Sequence, residues 1–113
     1  MITNDPLYTK DVLVASGGTT STKVDLQGHV IVALITPASL TSTTCEIQSS
    51  PDNGATWLPV YDQAGTKLEI TLGASRWIAL VPGDLAGLRL VRLVTGSAEA
   101  DDRTIKISAR PLG

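Results

Sequence analysis

The strongest constraint on the fold is a polar–apolar alternation in short segments that turn residues interrupt. Lys67 to Leu72 shows the pattern, with Leu68, Ile70 and Leu72 on one side and polar residues between them. A period of two places apolar side chains on one face of a β-strand. Ten glycines and six prolines separate such segments, and no segment keeps a sustained helical period. The sequence therefore predicts an all-β protein.

Nine segments fit a strand, at a spacing of about 8–12 residues that is typical of antiparallel sandwiches and barrels. They are Tyr8–Ala15, Thr22–Leu26, His29–Thr36, Thr43–Ser49, Trp57–Tyr61, Lys67–Leu72, Arg76–Val81, Leu88–Thr95 and Arg103–Arg110. We predict an antiparallel two-sheet sandwich of about eight or nine short strands, jelly-roll-like in topology. Residues 8–113 would form this single domain, preceded by an extended N-terminal arm at residues 1–7.

The core of such a sandwich must be mostly aliphatic. Leu, Ile and Val supply 31 residues, whereas Phe is absent and the chain has two Trp and two Tyr. The single cysteine, Cys45, alternates with Ile47 and is predicted to be a small core residue. It has no second cysteine with which to form an internal disulfide or a cysteine-rich metal site.

Charge and residue usage argue against several functions. A formal net charge of −2 does not suit a nucleic-acid-binding protein, and no apolar run is long enough to span a membrane. His29, the only histidine, opens a strand after a turn and is interpreted as a turn residue. Asp101 and Asp102 are interpreted as a solvated loop, although a weak calcium site there, or at Asp52 and Asp62, is an open alternative. We expect no catalytic residues, no metal and no cofactor.

Two predicted strands, His29–Thr36 and Leu88–Thr95, are apolar on both faces. A strand of a two-layer sandwich normally covers the core with one face only. Either a loop or terminal segment of the same chain covers the second face, or that face is a subunit interface in a dimer or trimer. The candidate interface residues on these strands are Ile31, Ile35, Arg89 and Arg92.

One local motif has the spacing S-x-D-x-G-x-T-W of an Asp box. In such a box the aspartate can accept hydrogen bonds from following backbone amides, and the glycine can take a positive φ. The motif is structural in sialidase-like propellers, and it occurs once in a chain too short for a propeller, so it predicts a stable hairpin. Its residues are Ser50, Asp52, Gly54, Thr56 and Trp57.

The segment from Cys45 to Gly113 resembles small virion proteins of tailed bacteriophages. The resemblance lies in Ser49–Asp62, Gly65-Thr66, Leu68–Leu72, Ala74–Arg76, Pro82–Val94 and Asp102–Ile105. It implies a β-sandwich that decorates and stabilises the capsid, synthesised in the host cytoplasm and placed on the capsid surface of the virion. The implied partner is the major capsid protein, and a position on the neck or tail is an open alternative.

The N-terminal arm offers a further candidate contact. The residue before a proline avoids the helical region, so the start of the chain is predicted to be extended up to Pro6. Such an arm could place Ile2 and Leu7 in a groove or add a strand to a neighbouring sheet. A frayed terminus is the alternative interpretation.

Two other functions compete with the virion role. A carbohydrate-binding or receptor-binding module, for example in a head fibre or tail tip, would use Trp57, Tyr61 and Trp77 as stacking platforms. Trp77, however, alternates with Ala79 and Val81 in the manner of a core residue. A small hydrolase would depend on His29.

Overall fold

The computed structural model describes residues 8–111 of the 113-residue chain. These residues form nine strands and one 3₁₀ turn, and each strand overlaps a predicted segment. In chain order they are β1 (Tyr8–Val14), β2 (Val24–Asp25), β3 (His29–Ile35), β4 (Thr44–Ser50), β5 (Leu58–Pro59), β6 (Glu69–Thr71), β7 (Trp77–Ala79), the 3₁₀ turn Pro82–Asp84, β8 (Leu90–Thr95) and β9 (Arg103–Pro111). The predicted arm with Ile2 and Leu7 lies outside the described residues.

The strands form two antiparallel sheets. Sheet A has the order β1-β9-β3-β7, and sheet B has the order β2-β8-β4-β5, with β6 also paired to β4. Because β5 and β6 pair with successive parts of β4, they act as two halves of one interrupted strand. Counted in that way, the strand order of the two sheets is that of a jelly roll. The predicted all-β, antiparallel two-sheet sandwich is confirmed.

The space between the sheets is filled by aliphatic side chains, as the composition predicts. Each fully buried side chain of this kind contributes about 1.5–3 kcal/mol to the free energy of unfolding. Cys45 is buried in the same cluster, beside Ile47. The largest buried side chains of the cluster include Leu26, Ile31, Leu34, Ile47, Leu85, Leu93, Ile105 and Ile107.

The apolar run of β3 contains a β-bulge. Ile31 pairs with Ala109 and Ala33 with Ser108, so Val32 is an extra residue on the β3 side of the ladder. The extra residue shifts the alternation, and both Ile31 and Leu34 enter the core, each 0% exposed. The prediction of Ile31 as an interface residue is therefore wrong. Ile35 is half-buried and pairs with an exposed residue of β7.

The side-chain alternation along β7 is the reverse of the predicted one. Ile78 lies opposite the buried Leu34, and Ile78 and Leu80 pack against the core. Trp77 and Val81 point away from it and are 61% and 65% exposed. Register with a neighbouring strand fixes which face is buried, so the pairing with β3 decides the orientation of residues whose own pattern is apolar on both faces.

Candidate binding surfaces

The Asp-box loop is closed by hydrogen bonds to the Ser50 and Asp52 side chains from backbone N–H groups four residues further along the chain. The Asp52 Oδ1 atom accepts the Thr56 N–H at 2.7 Å and the Ser50 hydroxyl at 2.9 Å. The Ser50 Oγ atom in turn accepts the Gly54 N–H at 2.7 Å. Gly54 has a φ of +94°, which strains any residue with a Cβ atom. Hydrogen bonds from the Thr56 side chain and backbone lower the pKa of Asp52, so the carboxylate is ionised and closes the hairpin.

Trp57, at the end of this loop, covers the outer face of β8. The Arg92 Cζ atom lies 4.4 Å from the centroid of the Trp57 ring, a cation–π contact. The Arg92 Nε–H also donates to Gln48 Oε1 at 2.8 Å, and the loop backbone at Gly54 approaches the Leu90 side chain. The chain's own loop therefore covers the second apolar face of β8. Arg92 is engaged within its own chain, and its place in a subunit interface stays a prediction.

The rest of this outer face carries a connected row of polar side chains. Gln48 Nε2 donates to Glu46 Oε2 at 3.2 Å, and Lys67 Nζ lies 3.1 Å from Glu46 Oε1. Gln48, Glu46 and Lys67 satisfy one another's hydrogen bonds and remain accessible to water. We therefore interpret this row of polar side chains as a solvated surface and not as a binding surface.

The first exposed apolar surface is on the outer side of sheet A, at the end formed by β3 and β7. Ile35 lies directly opposite Trp77, and Ala33 opposite Ala79. Trp77, Ala79 and Val81 are all exposed. We refer to the surface formed by Ile35, Trp77, Ala79 and Val81 as the β7 patch.

The second apolar surface is a groove of about 500 Å³ beside β5 in sheet B. Its walls include Leu58 and Tyr61, which are 55% and 56% exposed, together with Leu88 and Arg89. The Arg89 side chain is 74% exposed, and its Nε atom is 3.9 Å from Asp25 Oδ2, a separation at which an exposed pair contributes little. We refer to the groove formed by Leu58, Tyr61, Leu88 and Arg89 as the Tyr61 groove.

The three aromatic residues proposed as sugar platforms are not brought together. One face of Trp57 is occupied by Arg92. Tyr61 belongs to the groove of sheet B, whereas Trp77 lies on the outer side of sheet A. Each exposed surface therefore offers one aromatic ring.

Glu99 has a structural role that its position in the sequence does not indicate. Its carboxylate is buried, and it accepts the backbone N–H groups of Thr41 and Ser42, each at 2.8 Å. The Arg103 Nε–H also donates to it, at 3.1 Å. Burial acts to raise the pKa of Glu99, but the hydrogen bonds from Thr41, Ser42 and Arg103 outweigh it and lower the pKa to about 2.

The backbone of the same residue holds another loop. The Gly17 N–H donates to the Glu99 carbonyl at 2.7 Å, and the Glu99 N–H donates to the Gly18 carbonyl at 3.1 Å. Glu99 thus joins the turn after β1, the segment before β4 and the loop before β9. We refer to these contacts as the Glu99 clamp.

The Glu99 clamp predicts an acid-sensitive contribution to stability. Folding lowers the pKa of the Glu99 carboxyl from 4.5 to about 2. The ionised carboxylate therefore stabilises the protein fully when the pH is above 4.5, the pKa in the unfolded chain, and this contribution is lost as the pH falls to the pKa in the folded protein. The difference in unfolding free energy between wild type and Glu99→Gln should therefore be constant above about pH 5.5 and shrink below it. Urea unfolding at several pH values measures this difference. A difference that stays constant down to the lower pKa would contradict the prediction.

The residues considered for catalysis or metal binding have structural partners. His29 Nδ1 lies 2.9 Å from the Leu26 carbonyl in a tight turn. Burial raises the pKa of the Cys45 thiol to about 12, which keeps it protonated and unreactive. Asp102 Oδ1 accepts the Ser16 N–H at 2.8 Å, and Asp62 Oδ1 accepts two backbone N–H groups of its own turn. Among residues 8–111, no cluster of His, Cys, Asp or Glu side chains is suited to hold a metal ion.

Comparison with solved structures finds a similar fold in a prophage-derived protein. The crystal structure of the SPBc2 prophage-derived protein YomS matches with a TM-score of 0.54 and 13% sequence identity, over 97% of this chain and 99% of that chain. No family model and no curated protein sequence matches. The chain therefore has a fold that is found in a prophage-derived protein. In the described part of the chain no helix has the length and apolar character needed to cross a membrane.

Proposed function

We propose that this chain is a non-enzymatic virion structural protein that decorates a bacteriophage capsid and stabilises it by bridging neighbouring capsid subunits. The observation that carries the proposal is a pair of exposed apolar surfaces on one sandwich, the β7 patch of sheet A and the Tyr61 groove of sheet B. A bridging protein needs at least two contact surfaces. Its proposed partner is the major capsid protein, and its proposed location is the outside of the virion.

The Tyr61 groove has the composition of a protein-binding surface. Tyr and Arg are enriched among the residues that contribute most to binding energy in protein interfaces. Here Tyr61 and Leu58 form an apolar wall, and the Arg89 side chain is 74% exposed beside it. The arrangement fits a capsid segment that presents an apolar side chain next to a carboxylate.

The hydrogen-bonded loops support the same role. The Asp-box loop and the Glu99 clamp close the connections between strands with side-chain hydrogen bonds. Binding surfaces that are fixed before binding lose less conformational entropy on association. A subunit held at two points gains effective concentration at the second, so modest contacts suffice when their combined area exceeds about 1,000 Å². The fold shared with a prophage-derived protein also supports a phage origin.

The proposal predicts that Tyr61→Ala weakens binding to assembled capsids by about tenfold or more, because the loss of a central aromatic contact usually costs more than 1.4 kcal/mol. Co-sedimentation of the purified protein with capsids assembled from the major capsid protein measures the change. Leu13→Ala is the matched control, since Leu13 is 39% exposed and lies on β1, in sheet A.

Wild-type protein that fails to sediment with capsids would contradict the proposal, and so would a Tyr61→Ala variant that binds as well as wild type. A titration of intrinsic tryptophan fluorescence with glycans tests the alternative carbohydrate-binding function. Saturable binding of a glycan without binding to capsids would favour that alternative.

A further inference from the structure

Strand β7 directs every second residue's backbone groups toward an edge of sheet A with which no other strand of residues 8–111 pairs. The Thr36 N–H donates to the Arg76 carbonyl at 2.9 Å, and the Leu80 N–H donates to the Val32 carbonyl at 3.0 Å. Backbone groups of successive residues point to opposite sides of a strand. The backbone groups of Arg76, Ile78 and Leu80 therefore face β3, and those of the residues between them face the other way. β7 is the last strand in the order of its sheet. The backbone groups of Trp77 and Ala79 point to this edge, and so does the Val81 N–H, whereas the Val81 carbonyl accepts the Asp84 N–H at 3.2 Å in the 3₁₀ turn.

The other edge strands in residues 8–111 carry features that prevent pairing with another chain. Charged residues and prolines on an edge strand are the usual devices. β1 contains Lys10 and Asp11, β2 contains Asp25, β5 contains Pro59, and β6 contains Glu69. β7 has no such residue. Its edge combines free backbone groups with the exposed apolar side chains of the β7 patch, so it is suited to accept another strand.

We propose that two copies of this chain associate through β7, with the two strands antiparallel and Ala79 on the two-fold axis. This register pairs Trp77 with the partner's Val81 on the outer face, a large side chain against a smaller one. The small Ala79 side chain on the axis leaves room for the two strands to approach. The dimer extends sheet A of each copy into one continuous sheet.

The inner face of the same register is also complementary. Ile78 lies opposite the partner's Leu80, and both positions line an apolar groove of about 300 Å³ between β6 and β7. The added strand would cover the mouth of this groove, whose deeper wall includes Leu68 and Leu85. One pairing therefore sets the β7 patches of the two copies side by side on one continuous outer face and closes the open edge of the sandwich.

The charges at the ends of β7 favour a second copy as the occupant. The strand is preceded by Arg76 and followed, after Pro82, by Asp84. An antiparallel two-fold places the start of one strand beside the end of the other, so Arg76 lies next to the turn that contains the partner's Asp84. The two copies thus bring opposite charges together at both ends of the interface. The pairing is argued from β7 alone and does not depend on the capsid role.

Ala79→Glu tests the interface, because it places two carboxylates opposite each other across the axis. The dimer dissociation constant, measured by sedimentation velocity and light scattering, should rise about tenfold or more. Ala79 is exposed and points outward, so the thermal unfolding midpoint of the separated chain should change little. Thr104→Glu is the matched control, since it adds the same charge on the exposed face of β9, away from β7.

Ala79→Cys tests the register directly. Paired residues of an antiparallel ladder have Cα atoms about 5.5 Å apart, which is within the range that a disulfide spans. A covalent dimer should form under mild oxidation, whereas Thr104→Cys should form no covalent dimer, and the native Cys45 is buried. Monomeric wild-type protein, a dimer that Ala79→Glu leaves unchanged, or failure of Ala79→Cys to cross-link would overturn the proposal. Tyr61→Ala should leave the dimer intact, so failure of the pairing is distinguishable from failure of capsid binding.

Discussion

Replacing Glu99 with alanine should lower the free energy of unfolding by about 3–5 kcal/mol, the usual cost of breaking a buried charged pair. The substitution leaves the backbone N–H groups of Thr41 and Ser42 without their acceptor and Arg103, whose side chain is 14% exposed, without its carboxylate. Unmade hydrogen bonds in a buried site cost more than the same bonds contribute when formed. Urea unfolding of wild type and variant measures the loss.

Glu46→Ala is the control for this prediction. Glu46 also pairs with a cation, Lys67, at 3.1 Å, but both side chains are partly exposed. Exposed pairs of this kind contribute about 0–1 kcal/mol, so this substitution should cost much less. Equal losses from the two substitutions would contradict the role assigned to the Glu99 clamp.

Ile31→Ala should destabilise the protein by about 2–5 kcal/mol, the range for truncation of a fully buried aliphatic side chain. Ile35→Ala, in the same strand, should cost about 1 kcal/mol or less, because Ile35 is half-buried on the outer face. The pair is matched in residue type and strand and differs in the face that the β-bulge assigns to each residue. Thermal unfolding monitored by circular dichroism measures both losses, and equal losses would contradict the bulge.

The sequence predicted the strands and the sandwich because their signals are local. Leu68, Ile70 and Leu72 alternate with polar residues, and glycines or prolines mark most of the turns. The Asp-box loop was also readable, since its hydrogen bonds join residues no more than four positions apart. Such features need no knowledge of which strands are neighbours.

The features that the sequence did not predict depend on pairing between distant residues. Residues 30–35 are apolar throughout, so their alternation cannot reveal an extra residue, and the bulge at Val32 emerges from the register with β9. Trp77 and Ile78 are both apolar, and the pairing of β7 with β3 decides which of them enters the core.

Glu99 could not be identified from the sequence because the backbone N–H groups that it accepts are 57 and 58 residues away along the chain. In the sequence it stands in an ordinary polar loop between two strands. The sequence feature that relates to Glu99 is the Thr/Ser-rich stretch at Thr41–Thr44. The backbone N–H groups of this stretch need acceptors where the chain enters a buried strand. That requirement does not specify which acidic residue supplies the acceptor.

The two surfaces suggest how the proposed bridging would work. Pairing through β7 would give a dimer with two copies of the Tyr61 groove, each available to a different capsid subunit. Double attachment raises the strength of binding without any new contact type. A variant that is monomeric but keeps its groove should therefore bind capsids more weakly than wild type and still bind at the same place.

The composition of the virion tests the central claim most directly. Quantitative mass spectrometry of purified particles of the phage that encodes this chain counts its copies against those of the major capsid protein. A capsid-decorating protein is expected at a fixed ratio to the major capsid protein, with both proteins present in comparable amounts. Absence from the particle, or a handful of copies such as a neck or tail component would give, would contradict the account.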